Sequence, residues 1–222
     1  MDQVTKELAG GLGVCTPSHR LIINASSATT ELGAFPDLHR EVFAALHRVN
    51  RHSGASGYVA ICMPDAAEGR GIEAMGNRFV LFGTEELLQA VLDDRNLAAL
   101  SRRGMFRGRI REQDTDPAGS GMVLMRTQAR VKHIPDSGLA ARRARRDARR
   151  AAHIAETKGR FGPSDKPAKP PRITGYVMLR PGLRIDLISE SRPWTGETIL
   201  VNSYGLSTMT APAVLPWIEG AA

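Results

Sequence analysis

Cysteine is scarce in this 222-residue chain: Cys15 and Cys62 are the only two. Two are too few for a disulfide framework or a zinc knuckle, and they suit a reduced compartment. Aromatic residues make up 5% of the chain, which leaves little material for rows of base-stacking rings. No apolar run reaches the roughly 18 residues that a membrane span requires. The N-terminal MDQVTKELAGG lacks a basic start followed by an apolar stretch, so no secretory leader is expected. Those absences predict a cytoplasmic protein with no membrane partner. Lysine is also rare, with five among 30 basic residues, so 25 are arginine.

What remains is cationic. The formal charge is +7 and the pI near 10.0. Arginine, with its planar fork of donors, grips phosphate and guanine edges in a bidentate way that lysine cannot. Nucleic acid is therefore the leading partner class, ahead of acidic protein or anionic membrane. A GC-rich genome produces the same arginine bias without function, so composition alone does not decide.

Along the chain, residues 1–18 read as a loose lead-in and HRLIINA (19–25) as a buried strand. Pro36 opens a helix to about Arg51, with Leu38, Val42, Ala45, Leu46 and Val49 mostly on one side and His47 turned away from them. GYVAICMPD (57–65) and NRFVLFG (77–83) read as strands. Thr84 caps a second helical region that breaks near Asp93–Asp94, and RGRIREQD (108–114) supplies a fourth strand. Strand, helix, strand, strand, helix is the front of a ferredoxin-like unit. The expected class is α+β: a ferredoxin-like domain over residues 1–115, then a domain over 116–222 with an arginine-rich helix and a small antiparallel sheet. That second part holds GMVLMRTQARV (121–131), the basic helix at about 136–158, and a proline-rich linker (159–172). It continues with three short strand candidates and a tail in which Trp217 anchors PAVLPWIEG.

The basic helix carries LAARRARRDARR (139–150). On a helical wheel Arg142, Arg143, Arg145, Arg146, Arg149 and Arg150 fill an arc of about 160°, with the alanines opposite. A solvated helix normally mixes in acids to gain i,i+4 pairs; only Asp147 offers that here. The alanine face is too thin for membrane anchoring, and no zipper or helix-turn-helix core follows for DNA. RNA fits at least as well, through phosphate contacts along a short or distorted hairpin groove.

The six histidines, His19, His39, His47, His52, His133 and His153, match no zinc spacing, so neither a metal site nor a cofactor is expected. For an RNA enzyme the simplest route without metal uses the substrate's own 2′-hydroxyl, deprotonated by a neutral histidine and supported by Tyr, Ser, Arg or Lys. His47, mid-helix and facing away from the core, is the best-placed base, although a surface histidine without a role fits the same position. Tyr204 in SYGLS is either a strand-end core tyrosine or one that projects its hydroxyl into a cleft.

The ending NSYGLSTMTAPAVLPWIEG resembles the Y-G-L-S…V-P-W-F terminus of the CRISPR RNA-processing endoribonucleases of type I-F systems. FAALHRVN (43–50) resembles that family's catalytic-histidine helix and is followed by a strand ending at Pro64–Asp65. MRTQARVK (125–132) resembles its R-x-Q segment, the arginine-rich helix follows, and YVMLR (176–180) resembles a strand leading to the active site. Divergent relatives in transposon-associated or type IV systems would look similar. The resemblance spans roughly residues 19–219. It implies an enzyme of antiviral defence that binds one repeat hairpin in precursor CRISPR RNA with its arginine helix in the major groove. Such enzymes cut without metal at the 3′ base of the stem, leaving a 2′,3′-cyclic phosphate and a 5′-hydroxyl. They then stay bound as a subunit of the crRNA-guided interference complex. By position, His47 would be the general base, Tyr204 a positioning group, and Arg126 and Gln128 the base readers. Arg142, Arg145, Arg146, Arg149 and Arg150 would be groove contacts.

One position departs from the family pattern. A serine is expected after the L-R of the YVMLR strand, and Pro181 stands there with neither hydroxyl nor N–H. Ser189, Ser191 or Ser203 would have to substitute, or an arginine such as Arg180 to compensate. The alternatives are a non-cleaving RNA-binding subunit and, further off, a DNA-binding regulator.

Overall fold

The computed structural model describes residues 11–54, 57–66, 75–113, 120–127, 174–180, 183–194, 196–209 and 212–216. Contacts divide the chain into one compact unit, Met1–Gln128 with Arg172–Ala222, and a second, Ala129–Pro171. The boundary expected at 115/116 falls inside the first unit. The arginine helix, the proline-rich linker, Gln128, Pro181 and Trp217 lie outside the described residues.

The class is α+β. Strands β1 (Leu12–Cys15) and β2 (His19–Ala25) lead into a short helix α1 (Ser27–Glu31) and a long one, α2 (Phe35–His52). Then come β3 (Ala60–Cys62), β4 (Arg78–Gly83), α3 (Glu85–Leu92), α4 (Arg95–Arg102) and β5 (Phe106–Glu112). The second half supplies β6 (Ser120–Thr127), β7 (Gly175–Arg180), β8 (Leu183–Pro193), β9 (Ile199–Asn202), β10 (Ser207–Thr208) and β11 (Leu215–Pro216).

Alternation in β2 and β4 sends Leu21, Ile23, Phe79 and Leu81 to one face of an antiparallel sheet ordered β3-β4-β2-β5. There they meet Leu38, Val42, Phe43 and Leu46 of α2, Leu88 and Val91 of α3, and Leu97 of α4. The same core takes in Leu124, Val177, Ile185 and Leu187 from a second sheet, ordered β10-β6-β8-β7, with β7 packed along α2. The opposite face presents Ile22, Val80, Phe82 and Cys62, and a second core covers them with Cys15, Ile199, Val201 and Leu215.

Local signals set much of this. Pro36 stands in the first turn of α2, Asp37 sits near its start and Arg51 and His52 near its end, which matches the helix dipole. The hydroxyl of Thr84 caps α3, and Asp94 caps α4 by accepting from the N–H groups of Asn96 and Leu97, so the helical region breaks where the paired aspartates stand. Residues 1–18 are not wholly a loose lead-in. Leu12–Cys15 pair antiparallel with Ile199–Asn202, a partner that only tertiary folding brings close. Among the described residues, no helix is long and apolar enough to cross a membrane.

Candidate active site

His47 lies two residues beyond the buried Ala45 on α2, half-exposed, and faces the turn that joins β9 to β10. Its Nδ1 is 2.9 Å from the hydroxyl of Ser203. Its ring stacks on Tyr204, with centroids 4.3 Å apart and planes 11° from parallel. The hydroxyl of Tyr204 makes no hydrogen bond among the described residues, so the ring is the part of this side chain that the fold uses. Of the three serines considered in place of Pro181, Ser203 is the one bonded to His47; Ser189 and Ser191 belong to β8.

The turn is built to hold this geometry. Asn202 accepts from the N–H groups of Tyr204 (2.9 Å) and Leu206 (3.3 Å) through its side-chain oxygen. Its backbone N–H donates to Leu206 O at 2.9 Å, and Gly205 N–H donates to Asn202 O at 2.8 Å. Gly205 has φ +72°, and a Cβ there would stand 2.8 Å from the carbonyl oxygen of Val59. Both facts demand glycine. The Gly205 carbonyl in turn accepts from Ile61 N–H at 3.0 Å, which stitches the turn to β3.

Asn50 is the second clamp, and sequence reasoning missed it. It sits one helical turn beyond His47 with 1% of its surface exposed. Its amide nitrogen donates to Val59 O (2.9 Å) and Ser203 O (3.3 Å), and its oxygen accepts from Val59 N–H (2.7 Å). One side chain therefore ties α2, the approach to β3 and the backbone of Ser203 together. A signal was present: Asn50 lies four residues after Leu46, on the buried side of the wheel, where an amide must find partners.

Two arginines, Arg51 and Arg48, act on His47. Burial pushes its pKa below the ordinary 6.5, and Arg51 and Arg48 push it the same way, while its contact with Ser203 opposes them. The imidazole is therefore neutral at pH 7. With Nδ1 engaged by Ser203, Nε2 is the nitrogen left to a substrate. Arg48 is committed to the fold, through bonds of 2.7 and 2.8 Å to the two oxygens of Asp94. Arg51 is exposed on the last turn of the helix.

His39 is the contrasting case. It is fully buried, its Nδ1 bonds Phe35 O at 2.8 Å, and its ring meets Phe79 edge-on at 4.8 Å. Burial lowers its pKa, and it serves the core. The two thiols are equally remote from chemistry: Cys15 donates to Phe82 O at 3.2 Å and burial pushes its pKa up to about 12, while burial raises Cys62 as well.

Of the other expected site residues, Arg126 is half-buried on β6, opposite Leu187 of β8 and beside Thr208 of β10. Leu187 belongs to the core under α2, so Arg126 shares the sheet face that packs toward the His47 helix. Gln128, Arg142, Arg143, Arg145, Arg146, Arg149 and Arg150 lie outside the described residues. Among the described residues, no three His, Cys, Asp or Glu side chains group so as to hold a metal ion. No protein-family model matches this chain, and no curated protein matches it.

Proposed function

We propose that this chain is a metal-independent endoribonuclease that binds the repeat hairpin of precursor CRISPR RNA and cuts at the 3′ base of its stem. The observation that carries the reading is the union of His47, Ser203 and Tyr204 from distant parts of the chain. In the proposed reaction, Nε2 of His47 removes the proton of a ribose 2′-hydroxyl. The 2′-oxygen then forms a bond to the adjacent phosphorus as the bond to the 5′-oxygen breaks. The leaving oxygen takes up a proton, and the products end in a 2′,3′-cyclic phosphate and a 5′-hydroxyl. Ser203 accepts from Nδ1–H, which holds the tautomer with a lone pair on Nε2, and the Tyr204 ring fixes the imidazole plane. Arg51, on the last turn of α2, would offset the negative charge that develops on the non-bridging phosphoryl oxygens.

The fold fits this reading. The order β3-β4-β2-β5, with α2 and α3 as crossovers, supports reading this part as a ferredoxin-like unit. Of the serines considered in place of Pro181, Ser203 brings a hydroxyl to His47 from another element, which supports a place for it in the proposed site. The arginine-rich helix and the Arg126–Gln128 segment would hold the hairpin, and the protein would keep its product as a subunit of an interference complex. A second reading, an RNA-binding subunit that does not cut, rests on Pro181. Incubating the purified protein in EDTA with the repeat encoded near its gene separates the two: cleaved RNA supports the enzyme, and tight binding of intact RNA supports the subunit. Displacement of the hairpin by duplex DNA at equal salt would instead favour a DNA-binding regulator.

A further inference from the structure

The buried side chains of α2 are apolar except for His39 and Asn50. His39 makes its bond inside the helix, to Phe35 O at 2.8 Å. Asn50 bonds only outside it, to Val59 and to Ser203. A leucine at position 50 would bury apolar surface without needing any partner, so packing alone does not call for an amide there.

Val59 decides which way that amide points. Its N–H donates to Oδ1 of Asn50 at 2.7 Å, and its carbonyl accepts from Nδ2 at 2.9 Å. Turning the amide over would set oxygen against oxygen and N–H against N–H, so one orientation alone is satisfied. In that orientation the second N–H of Nδ2 reaches Ser203 O at 3.3 Å. Satisfying a buried amide accounts for the pair with Val59. It does not account for the choice of the last acceptor, which belongs to the residue whose hydroxyl meets His47.

Asn50 follows His47 by three residues, one turn along the same helix face. The helix therefore holds Ser203 at two points: His47 Nδ1 on its hydroxyl at 2.9 Å and Asn50 Nδ2 on its carbonyl at 3.3 Å. A single point would let Ser203 swing, whereas two fix its hydroxyl relative to the imidazole. That relation sets which ring nitrogen carries the proton. A histidine free in water keeps its neutral proton mainly on Nε2, the nitrogen that must be bare to act as a base. An accepting hydroxyl at Nδ1 reverses that preference. Asn50 is 1% exposed, so RNA that reaches the half-exposed imidazole does not touch the amide.

We propose that Asn50 is a positioning residue of the cleavage reaction: its hold on the Ser203 carbonyl keeps the Ser203 hydroxyl on Nδ1 of His47 and leaves Nε2 without a proton. The catalytic consequence rests on the function proposed above; the location of the proton does not.

The test is a double-mutant cycle on the full chain, with Asn50→Ala, Ser203→Ala and the two combined. Two-bond ¹H–¹⁵N spectra at neutral pH report which nitrogen of His47 is protonated, and His47→Ala supplies the assignment. This readout needs no RNA. Single-turnover cleavage of the repeat hairpin in EDTA, at saturating protein, supplies the rate. The wild-type protein carries the His47 proton on Nδ1. Each single variant moves part of it to Nε2 and slows cleavage, by up to the roughly fivefold that one hydrogen bond allows. The double variant shows no more than Ser203→Ala alone, because Asn50 acts through the missing hydroxyl. Retention of the Nδ1 proton and the full rate in Asn50→Ala overturns the inference. So do effects that multiply in the double variant, the mark of a general loosening. Should Asn50→Ala fail to fold, Asn50→Asp takes its place in the cycle, since it keeps the shape and the acceptor for Val59 N–H. The field of its carboxylate persists in the Ser203→Ala background and cancels from the coupling. A wild-type protein that leaves the hairpin whole refutes the proposed function, and the proton's position then decides the inference alone.

Discussion

Replacing Tyr204 by phenylalanine and by alanine separates a hydroxyl in the cleft from a ring that holds a ring. The Tyr204 and His47 centroids are 4.3 Å apart at 11°, and the hydroxyl has no hydrogen-bond partner among the described residues. Stacked aromatic pairs contribute about 0.5–1.5 kcal/mol beyond buried area, which at 25 °C corresponds to roughly a 2- to 13-fold change in the population of the held imidazole. Tyr204 also packs against the main core, so alanine is expected to lose a further ~1–2 kcal/mol of global stability. Single-turnover cleavage with saturating protein removes binding from the rate, and urea unfolding reports stability separately. Tyr204→Phe should cut near the wild-type rate, and Tyr204→Ala should be slower by roughly the stacking factor with RNA affinity intact. Equal impairment in both variants would show that the hydroxyl does the work. A fully active Tyr204→Ala would show that the stack does nothing for catalysis.

Ser203→Ala removes one hydrogen bond from Nδ1 of His47, worth about 1 kcal/mol, and should slow single-turnover cleavage roughly fivefold while Ser203→Thr retains most of the rate. Gly205→Ala should destabilise the protein by at least ~2 kcal/mol in urea unfolding, from its φ of +72° together with the approach to Val59 O at 2.8 Å. For cleavage at limiting substrate, kcat/KM should be flat near neutrality and fall on acidification with a midpoint below 6.5, and Arg51→Met should move that midpoint up. His39 has a folded pKa below its unfolded one, so the stability it contributes is present above 6.5 and lost as pH falls through the folded value. Thermal melts between about pH 7 and pH 5 should follow that slope, and His39→Leu should flatten it.

Much of the fold was legible because it was written locally. The 3.6-residue spacing of Leu38, Val42 and Leu46 defined α2, the alternation in HRLIINA defined β2, and the aspartate pair marked the break between α3 and α4. The wheel also turned His47 out of the core, where the structure has it. The losses are non-local. LGVC is four residues long and becomes a strand only because Ile199–Asn202 lie beside it, and SATTE becomes α1 under the cap of Ser26. Ser203 stood among three possible serines, since a bond between residues 156 apart has no periodic signature. Asn50 is the instructive case: its identity was visible, but its meaning required knowing that α2 packs beside both Val59 and Ser203.

The central claim is tested most directly by one experiment on the repeat hairpin in EDTA, with wild-type and His47→Ala protein side by side and product termini identified. The account predicts that the wild-type protein releases a 2′,3′-cyclic phosphate and a 5′-hydroxyl, and that His47→Ala binds the hairpin equally well but leaves it whole. Cutting that stops in EDTA, or that continues in His47→Ala or on RNA with a 2′-deoxy residue at the scissile position, would contradict it.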